Sequence, residues 1–221
     1  MIMTREEELF RRRLLDLADG AWRRSIITYT DFLNLNEQNI YHNTKPELSF
    51  LDSRMFGGYE CAERQMVAFI PDALSYDREL PGELQNGLFP IRCLKIAPQN
   101  PRFAETLTHR DYLGSLMNLG VDRGKLGDIL IQEQEAYLFC HEKIAGYLTA
   151  ELTRVRHTAV ICRETCRDFT EWTPRLQEIT GTVASVRLDA LLSLAFQASR
   201  SSLSGLSEGG KVFVYGRLVT A

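Results

Sequence analysis

Residues 107–131 read LTHRDYLGSLMNLGVDRGKLGDILI, and their succession of helix, loop and strand decides how the rest of the chain is parsed. Thr108 can cap the free amides of a first helical turn, and Asp111 stands three residues on, the spacing of a capping box. Leu113, Leu116, Met117 and Leu119 supply an apolar helical face, and Gly120 is a natural stop. A polar loop over 121–127 carries Asp122, Arg123 and Lys125 among glycines, and Asp128-Ile129-Leu130-Ile131 reads as a buried strand. A glycine-rich cationic loop between a helix and a strand is a place where an anion can be met.

Outward from this stretch, a strand over 90–97 precedes the helix. After the strand at 128–131, a hairpin through 132–135 leads to a strand over 136–140. A helix over 142–155 follows, with Ile144, Leu148, Leu152 and Val155 on one face, and a strand over 158–162 closes the unit. The order β-α-β-β-α-β is the split-βαβ arrangement of ferredoxin-like and RNA-recognition folds. Tyr137 and Phe139 share one face of their strand. On an open sheet face they would stack bases, although aromatic pairs in strands usually belong to the core.

Upstream, residues 4–24 form an amphipathic helix in which Thr4 and Glu7 have capping-box spacing and Phe10, Leu14, Leu17 and Ala21 repeat on one face. Arg11, Arg12 and Arg13 are read as a solvated face paired with Glu6, Glu7 and Glu8, with a phosphate-binding ridge as the alternative. The text TDFLNLNEQNIYH at 30–42 predicts a turn and a short helix. Strands are expected at 48–52 and 66–70. Between them Gly57 and Gly58 mark a tight backbone feature. It is either a turn with its aromatics packed down or a place where a nucleotide approaches and Tyr59 or Arg64 contacts it. Residues 71–87 form a polar loop, and 163–180 a connector.

The expected class is α+β. A helical N-terminal unit spans 1–47, a split-βαβ domain of ferredoxin or RNA-recognition type spans 48–165, a linker spans 166–180, and an RNA-binding domain spans 181–221. The 221 residues are 44% apolar and 25% charged, ordinary for a globular chain, and a net charge of −3 excludes histone-like wholesale binding of nucleic acid but not a local basic face. No apolar run approaches the roughly 18–20 residues that span a bilayer, and the N-terminus lacks an apolar signal core. Five cysteines without framework spacing imply the reducing cytosol, with the thiols serving as small buried apolar groups and no metal site. A cytoplasmic monomer, off the membrane and without cofactor, is expected.

His109-Arg110-Asp111 matches the kinase catalytic triplet only on the surface. The Asn required five residues after the Asp is Leu116, and no glycine-rich phosphate loop accompanies it. Asp111 is read as a capping carboxylate. An RNA-modifying enzyme using Asp111 or Asp128 as a base stays as the catalytic alternative, and no catalytic residue is assigned.

Residues 183–216, VASVRLDALLSLAFQASRSSLSGLSEGGKVFVYG, have the grammar strand, helix, turn, helix, strand. Arg-Leu-Asp at 187–189, Ser-Arg at 199–200 and Gly-Lys-Val at 210–212 resemble the S-four type (αL) RNA-binding domain. Together with FGGYECAER at 56–64, the stretch at 108–130, and TDFLNLNEQ at 30–38, they make the chain resemble the bacterial YlmH family over nearly its whole length. The resemblance implies a non-catalytic RNA-binding protein of translation. It would act on the large ribosomal subunit in ribosome-associated quality control, on ribosomal RNA and tRNA where a stalled nascent chain is rescued. An association of the family with cell division makes a protein-interaction module the other alternative.

The αL candidates are Arg187, Ser199, Arg200 and Lys211, with the second helix aiming its N-terminal amides and Ser199/Arg200 at a phosphate. Arg123 and Lys125 of the central loop, Arg110, and the turn residues Gly57, Gly58 and Tyr59 complete the expected RNA contacts. The family's αL domain continues through further strands, so this one is expected to be cut short at Ala221. An acid and two glycines at 208–210 also stand where a basic helix end is usual.

Overall fold

Two reciprocal capping boxes set the N-terminal helices. The Thr4 hydroxyl accepts the Glu7 amide at 3.2 Å and the Glu7 carboxylate accepts the Thr4 amide at 2.8 Å, starting α1 (Arg5–Arg24). Asn34 and Glu37 repeat the exchange at 2.9 and 2.8 Å and start α2 (Leu35–Thr44). The computed structural model describes residues 4–72, 87–167, 169, 172, 177–199, 203, 212–214 and 217–218. Contacts divide the chain into two units, Met1–Trp172 and Thr173–Ala221.

In the first unit, β1 (Thr28–Tyr29) and β2 (Asp52–Phe56) flank β3 (Met66–Ile70) in an antiparallel sheet. Strand β3 is buried along its whole length. Alternation sends Val67 and Phe69 to a core with Leu14, Ala18, Ala21 and Tyr41 of the helices, and Met66, Ala68 and Ile70 to a second core on the opposite side.

The split-βαβ order is realised in full. It comprises β4 (Ile91–Pro98), α3 (His109–Asn118), β5 (Leu126–Gln132), β6 (Glu135–His141), α4 (Glu142–Glu151), a short β7 (Arg154–Val155) and β8 (Thr158–Thr165). Its antiparallel sheet runs β5-β6-β4-β8-β7, with Leu94 opposite Leu138 and Ile96 opposite both Ala136 and Cys162. Leu94, Ile96, Leu138 and Val160 face α3 and α4, where they meet Tyr112, Leu116, Ala145 and Leu148. The other face, with Tyr137, Phe139 and Leu130, packs on Met66, Ala68 and Ile70 of the small sheet. The unit is thus four layers, helices outside and two sheets within.

Several expectations are corrected. The strand expected at 48–52 lies at Asp52–Phe56, because Pro46 starts a 3-10 turn (Lys45–Leu48) that tucks Leu48 into the helical core. The helix expected to run to 155 ends at Glu151. Arg154–Val155 turns back on Thr158 through a left-handed Arg156 (φ 52°), and Val155 reaches the core from a strand. The presumed helical unit at 1–47 contributes β1 to a sheet whose other strands lie beyond 48, so the expected boundary crosses one sheet. The presumed linker supplies Phe169 and Trp172 to the inter-sheet core. Cys140 and Cys162 are buried as expected, while Cys61 and Cys166 are exposed.

In the second unit α5 (Leu188–Phe196) ends at a left-handed Gln197 (φ 50°), and β9 (Phe213–Val214) pairs with β10 (Arg217–Leu218). No strand forms at 183, and the partner described for β9 is β10. No helix among the described residues is long and apolar enough to cross a membrane.

The α3 face is testable. Leu116 is fully buried and Met117 is 42% exposed. Leu116→Ala should therefore cost about 2–5 kcal/mol in urea unfolding, and Met117→Ala no more than about 0.5 kcal/mol. Similar losses at both positions would contradict the observed face.

Candidate nucleic-acid interface

The sequence-predicted site residues fall into two groups, those that build the joint between the two sheets and those that stand at the surface. The joint starts at a β-bulge. Leu126 lies opposite Cys140 but Ile129 lies opposite Leu138, so β5 carries one extra residue between them. Asp128 sits there, and its carboxylate accepts the Tyr59 hydroxyl at 2.8 Å, the Glu63 amide at 2.7 Å and the Arg64 amide at 3.1 Å. Arg64 returns the connection. Its Nε donates to the Leu126 carbonyl at 2.9 Å, and its Nη2 to the carbonyls of Phe32 at 2.8 Å and Arg123 at 3.3 Å. Burial pulls the Arg64 guanidinium below its ordinary pKa, with the charges of Glu37 and Asp128 opposing.

Gly57 and Gly58 are explained by the closeness of this joint. A Cβ on Gly57 would lie 2.4 Å from both the Ala62 Cβ and the Arg64 carbonyl oxygen. Gly58 has φ +104°, and a Cβ there would lie 2.2 Å from the Phe139 ring. Tyr59 is buried and stacked on Phe139, with ring centroids 5.2 Å apart and planes 25° apart. Burial, and then its bond to Asp128, raises its pKa far above the usual tyrosine range. Tyr137 and Phe139, which would stack bases on an open sheet, lie beneath this turn and Phe169.

The cationic loop is largely committed to the protein itself. A 3-10 turn, Arg123–Lys125, starts where Asp122 Oδ1 accepts the Gly124 amide at 2.8 Å, and the Gly124 carbonyl accepts the Phe32 amide at 2.8 Å. Arg123 donates to the carbonyls of Leu126 at 3.0 Å and Gly127 at 3.4 Å. Burial, with the nearby charge of Arg64, lowers its pKa. Lys125 forms an ion pair with Asp31, which Arg13 also approaches at 3.4 Å. Beside the loop a cleft of about 270 Å³ is lined by both signs of charge, including Arg13, Asp31, Glu37 and Arg123.

Several surface cations of α1 are paired as well, Arg11 with Glu8 and Glu47, Arg12 with Glu8, and Arg23 with Asp19. Arg110 is exposed on the first turn of α3. Its neighbour Asp111 accepts both the amide and the hydroxyl of Thr108, at 2.8 and 2.7 Å, which holds its carboxyl below the usual range. In the second unit Arg187 is the exposed N-cap residue of α5 and pairs with Asp189 at 3.1 Å. Ser199 is exposed and its carbonyl accepts the Leu203 amide at 3.2 Å. Arg200 and Lys211 lie outside the described residues. Among the described residues no three His, Cys, Asp or Glu side chains gather as a metal site would require.

Residues 86–168 match a family model described as "Putative RNA-binding domain in YlmH", which covers the five-stranded sheet and both of its helices. The chain is 28% identical over 207 residues to the "Ribosome-associated protein quality control protein P2" of Bacillus subtilis (strain 168), covering 90% of this chain and 75% of that protein. The chain resembles the YlmH family. Its fold is that of the "Cell division protein ylmH from Streptococcus pneumoniae", with a TM-score of 0.58 at 23% identity, covering 79% of this chain and 98% of that one. In this YlmH-like chain the family-model match begins after Gly57, Tyr59 and Arg64, so the joint lies only partly within it.

Sequence reasoning missed Asp128 as the organiser of the joint, since an acid at a strand start looks like a turn residue. The one available signal was a run of glycines too tight for an ordinary hairpin, followed by an arginine.

The same substitution should have opposite signs at two glycines. Gly58→Ala should cost about 2–4 kcal/mol from strain and overlap with Phe139. Gly114→Ala, in α3 with open space around it, should stabilise by about 0.5–1 kcal/mol. Asp128→Asn, which turns one acceptor oxygen into a donor, should cost about 1–3 kcal/mol in the same unfolding assay. Neutral values for Gly58→Ala and Asp128→Asn would contradict the joint.

Proposed function

We propose that the chain is a non-catalytic, cytoplasmic RNA-binding protein of ribosome-associated quality control. It binds ribosomal RNA and tRNA on the large ribosomal subunit, as a monomer. The observation that carries this reading is the extent of the likeness to the Bacillus subtilis quality-control protein, 90% of the chain rather than one module. The match to an RNA-binding domain at residues 86–168 supports the ligand class.

The contacts are assigned by residue chemistry, to cations and a hydroxyl of the kinds that meet phosphate, with Arg187 exchanging its ion pair with Asp189 for a phosphate. Arg187, Ser199, Arg200 and Lys211 act in the αL unit and Arg110 on α3. Lys125 joins them from its ion pair with Asp31, while Arg123, Gly57, Gly58 and Tyr59 serve RNA binding by holding the loop and turn in place. Asp111 and Asp128 are poor candidates for a base. The first already caps a helix, and the second receives three hydrogen bonds. That chemistry favours a structural over a catalytic role at both carboxylates.

Two measurements test the reading. On a sucrose gradient the tagged chain should travel with free large subunits. With a labelled ribosomal-RNA fragment, log affinity should fall linearly with log salt, and Arg187→Ala with Arg200→Ala should flatten that slope by about 1.4–1.8. A protein that stays at the top of the gradient, with RNA affinity indifferent to salt, would contradict it.

A further inference from the structure

The segment between β4 and α3 is pinned at both ends to the β7–β8 hairpin. The Gln99 amide donates to the Ala159 carbonyl at 2.9 Å, and the Glu105 amide to Thr158 Oγ1 at 3.2 Å. Between these anchors the chain makes one 3-10 turn, Pro101–Phe103. Asn100 Oδ1 accepts the Arg102 amide at 3.2 Å, and Pro101 fixes the first backbone angle of the turn. The turn holds Phe103 out at 83% exposure, the most exposed aromatic ring among the described residues.

A single exposed apolar residue is ordinary on a protein surface. Phe103 differs in its setting, because its backbone is fixed and several arginines lie on its segment and on the hairpin that pins it, beside the carboxylates of Glu105 and Asp111. Arg102 precedes it, and the hairpin to which the segment is pinned carries exposed Arg154, Arg156 and His157. Arg156 is held in the left-handed region (φ 52°) and shares two carboxylates loosely, Glu105 at 3.9 Å and Asp111 at 3.6 Å. Arg102 and Arg154 have no carboxylate within ion-pair distance among the described residues. The sheet face that would stack bases in an RNA-recognition fold is closed by Tyr59 and Phe169, so among the described residues this rim offers the domain's most exposed ring, ahead of Tyr147 on α4.

We propose that Phe103 stacks an unpaired base of single-stranded RNA while Arg102, Arg154 and Arg156 take the flanking phosphates. Base-aromatic stacking beside arginines is how sequence-tolerant single-strand sites are built. The inference rests on the RNA-binding reading and assigns part of that binding to this rim.

The test uses the full chain and two probes, a fluorescein-labelled 12-nucleotide oligouridine and a blunt RNA duplex, read by anisotropy. Phe103→Ala should weaken oligouridine binding about tenfold and leave duplex binding within about twofold. Phe103→Trp should keep the affinity, and its fluorescence should be quenched by the oligouridine. Arg102→Ala with Arg154→Ala should lower the single-strand salt slope by about 1.4. If the wild type binds RNA and all these variants match it in affinity and slope, the rim is not an RNA contact and the proposal fails, as it would if the rim served a protein partner. If the wild type binds neither probe nor ribosomal RNA, the RNA-binding reading itself fails with it.

Discussion

One carboxylate accepting three hydrogen bonds across the inter-sheet joint is the constraint on which the rest of the first unit depends. Asp128 is pushed off the β5 ladder by a bulge and gathers Tyr59, Glu63 and Arg64 from a turn far away in sequence. Arg64 then donates to three carbonyls at the bulge and its neighbours, sharing that of Leu126 with Arg123. Taking two charges partly out of water is costly unless each is hydrogen-bonded, and the half-buried Asp128 and Arg64 both are. The glycines beside them follow from the close approach this network demands.

Closing the joint has a functional consequence. The split-βαβ fold leaves one sheet face free of helices, and in RNA-recognition domains that face stacks bases. Here the small sheet and the glycine turn cover it, and Tyr137 and Phe139 become core. Under the proposed function, nucleic-acid contacts are accordingly assigned to exposed loops, helix starts and the second unit. The segments that carry the family resemblance, at 56–64 and 108–130, are two sides of this joint. They testify to the fold more directly than to RNA chemistry.

How much of this was legible beforehand depended on whether the signal was local. The boxes at Thr4/Glu7, Asn34/Glu37 and Thr108/Asp111 each lie within four residues, and all three helix starts were readable. The alternating strands around 129–140 and the hairpin between them were equally plain. Two-residue strands at Thr28–Tyr29 and Arg154–Val155 were not, since no periodicity can show in two positions. Val155 fits a helical stripe as well as a strand, and only the turn at Arg156 decides between them. Asp128 and Arg64 are 64 residues apart, and nothing near either one names its partner. Among the expected contacts, Arg110 and Arg187 could be recognised as cations from sequence. The commitment of Arg123 to two carbonyls and of Lys125 to Asp31 could not, because it depends on which segments the fold brings beside the loop.

Native-state hydrogen exchange of the Glu63 and Arg64 amides tests the joint most directly. Both donate to Asp128, and if the two sheets are one cooperative body they should exchange only through global unfolding. Their opening free energy would then equal that of the Leu138 amide in the middle of β6. Exchange of Glu63 and Arg64 at an opening energy several kcal/mol lower, with Leu138 still protected, would mean that the small sheet opens by itself and that the two sheets are not one cooperative body.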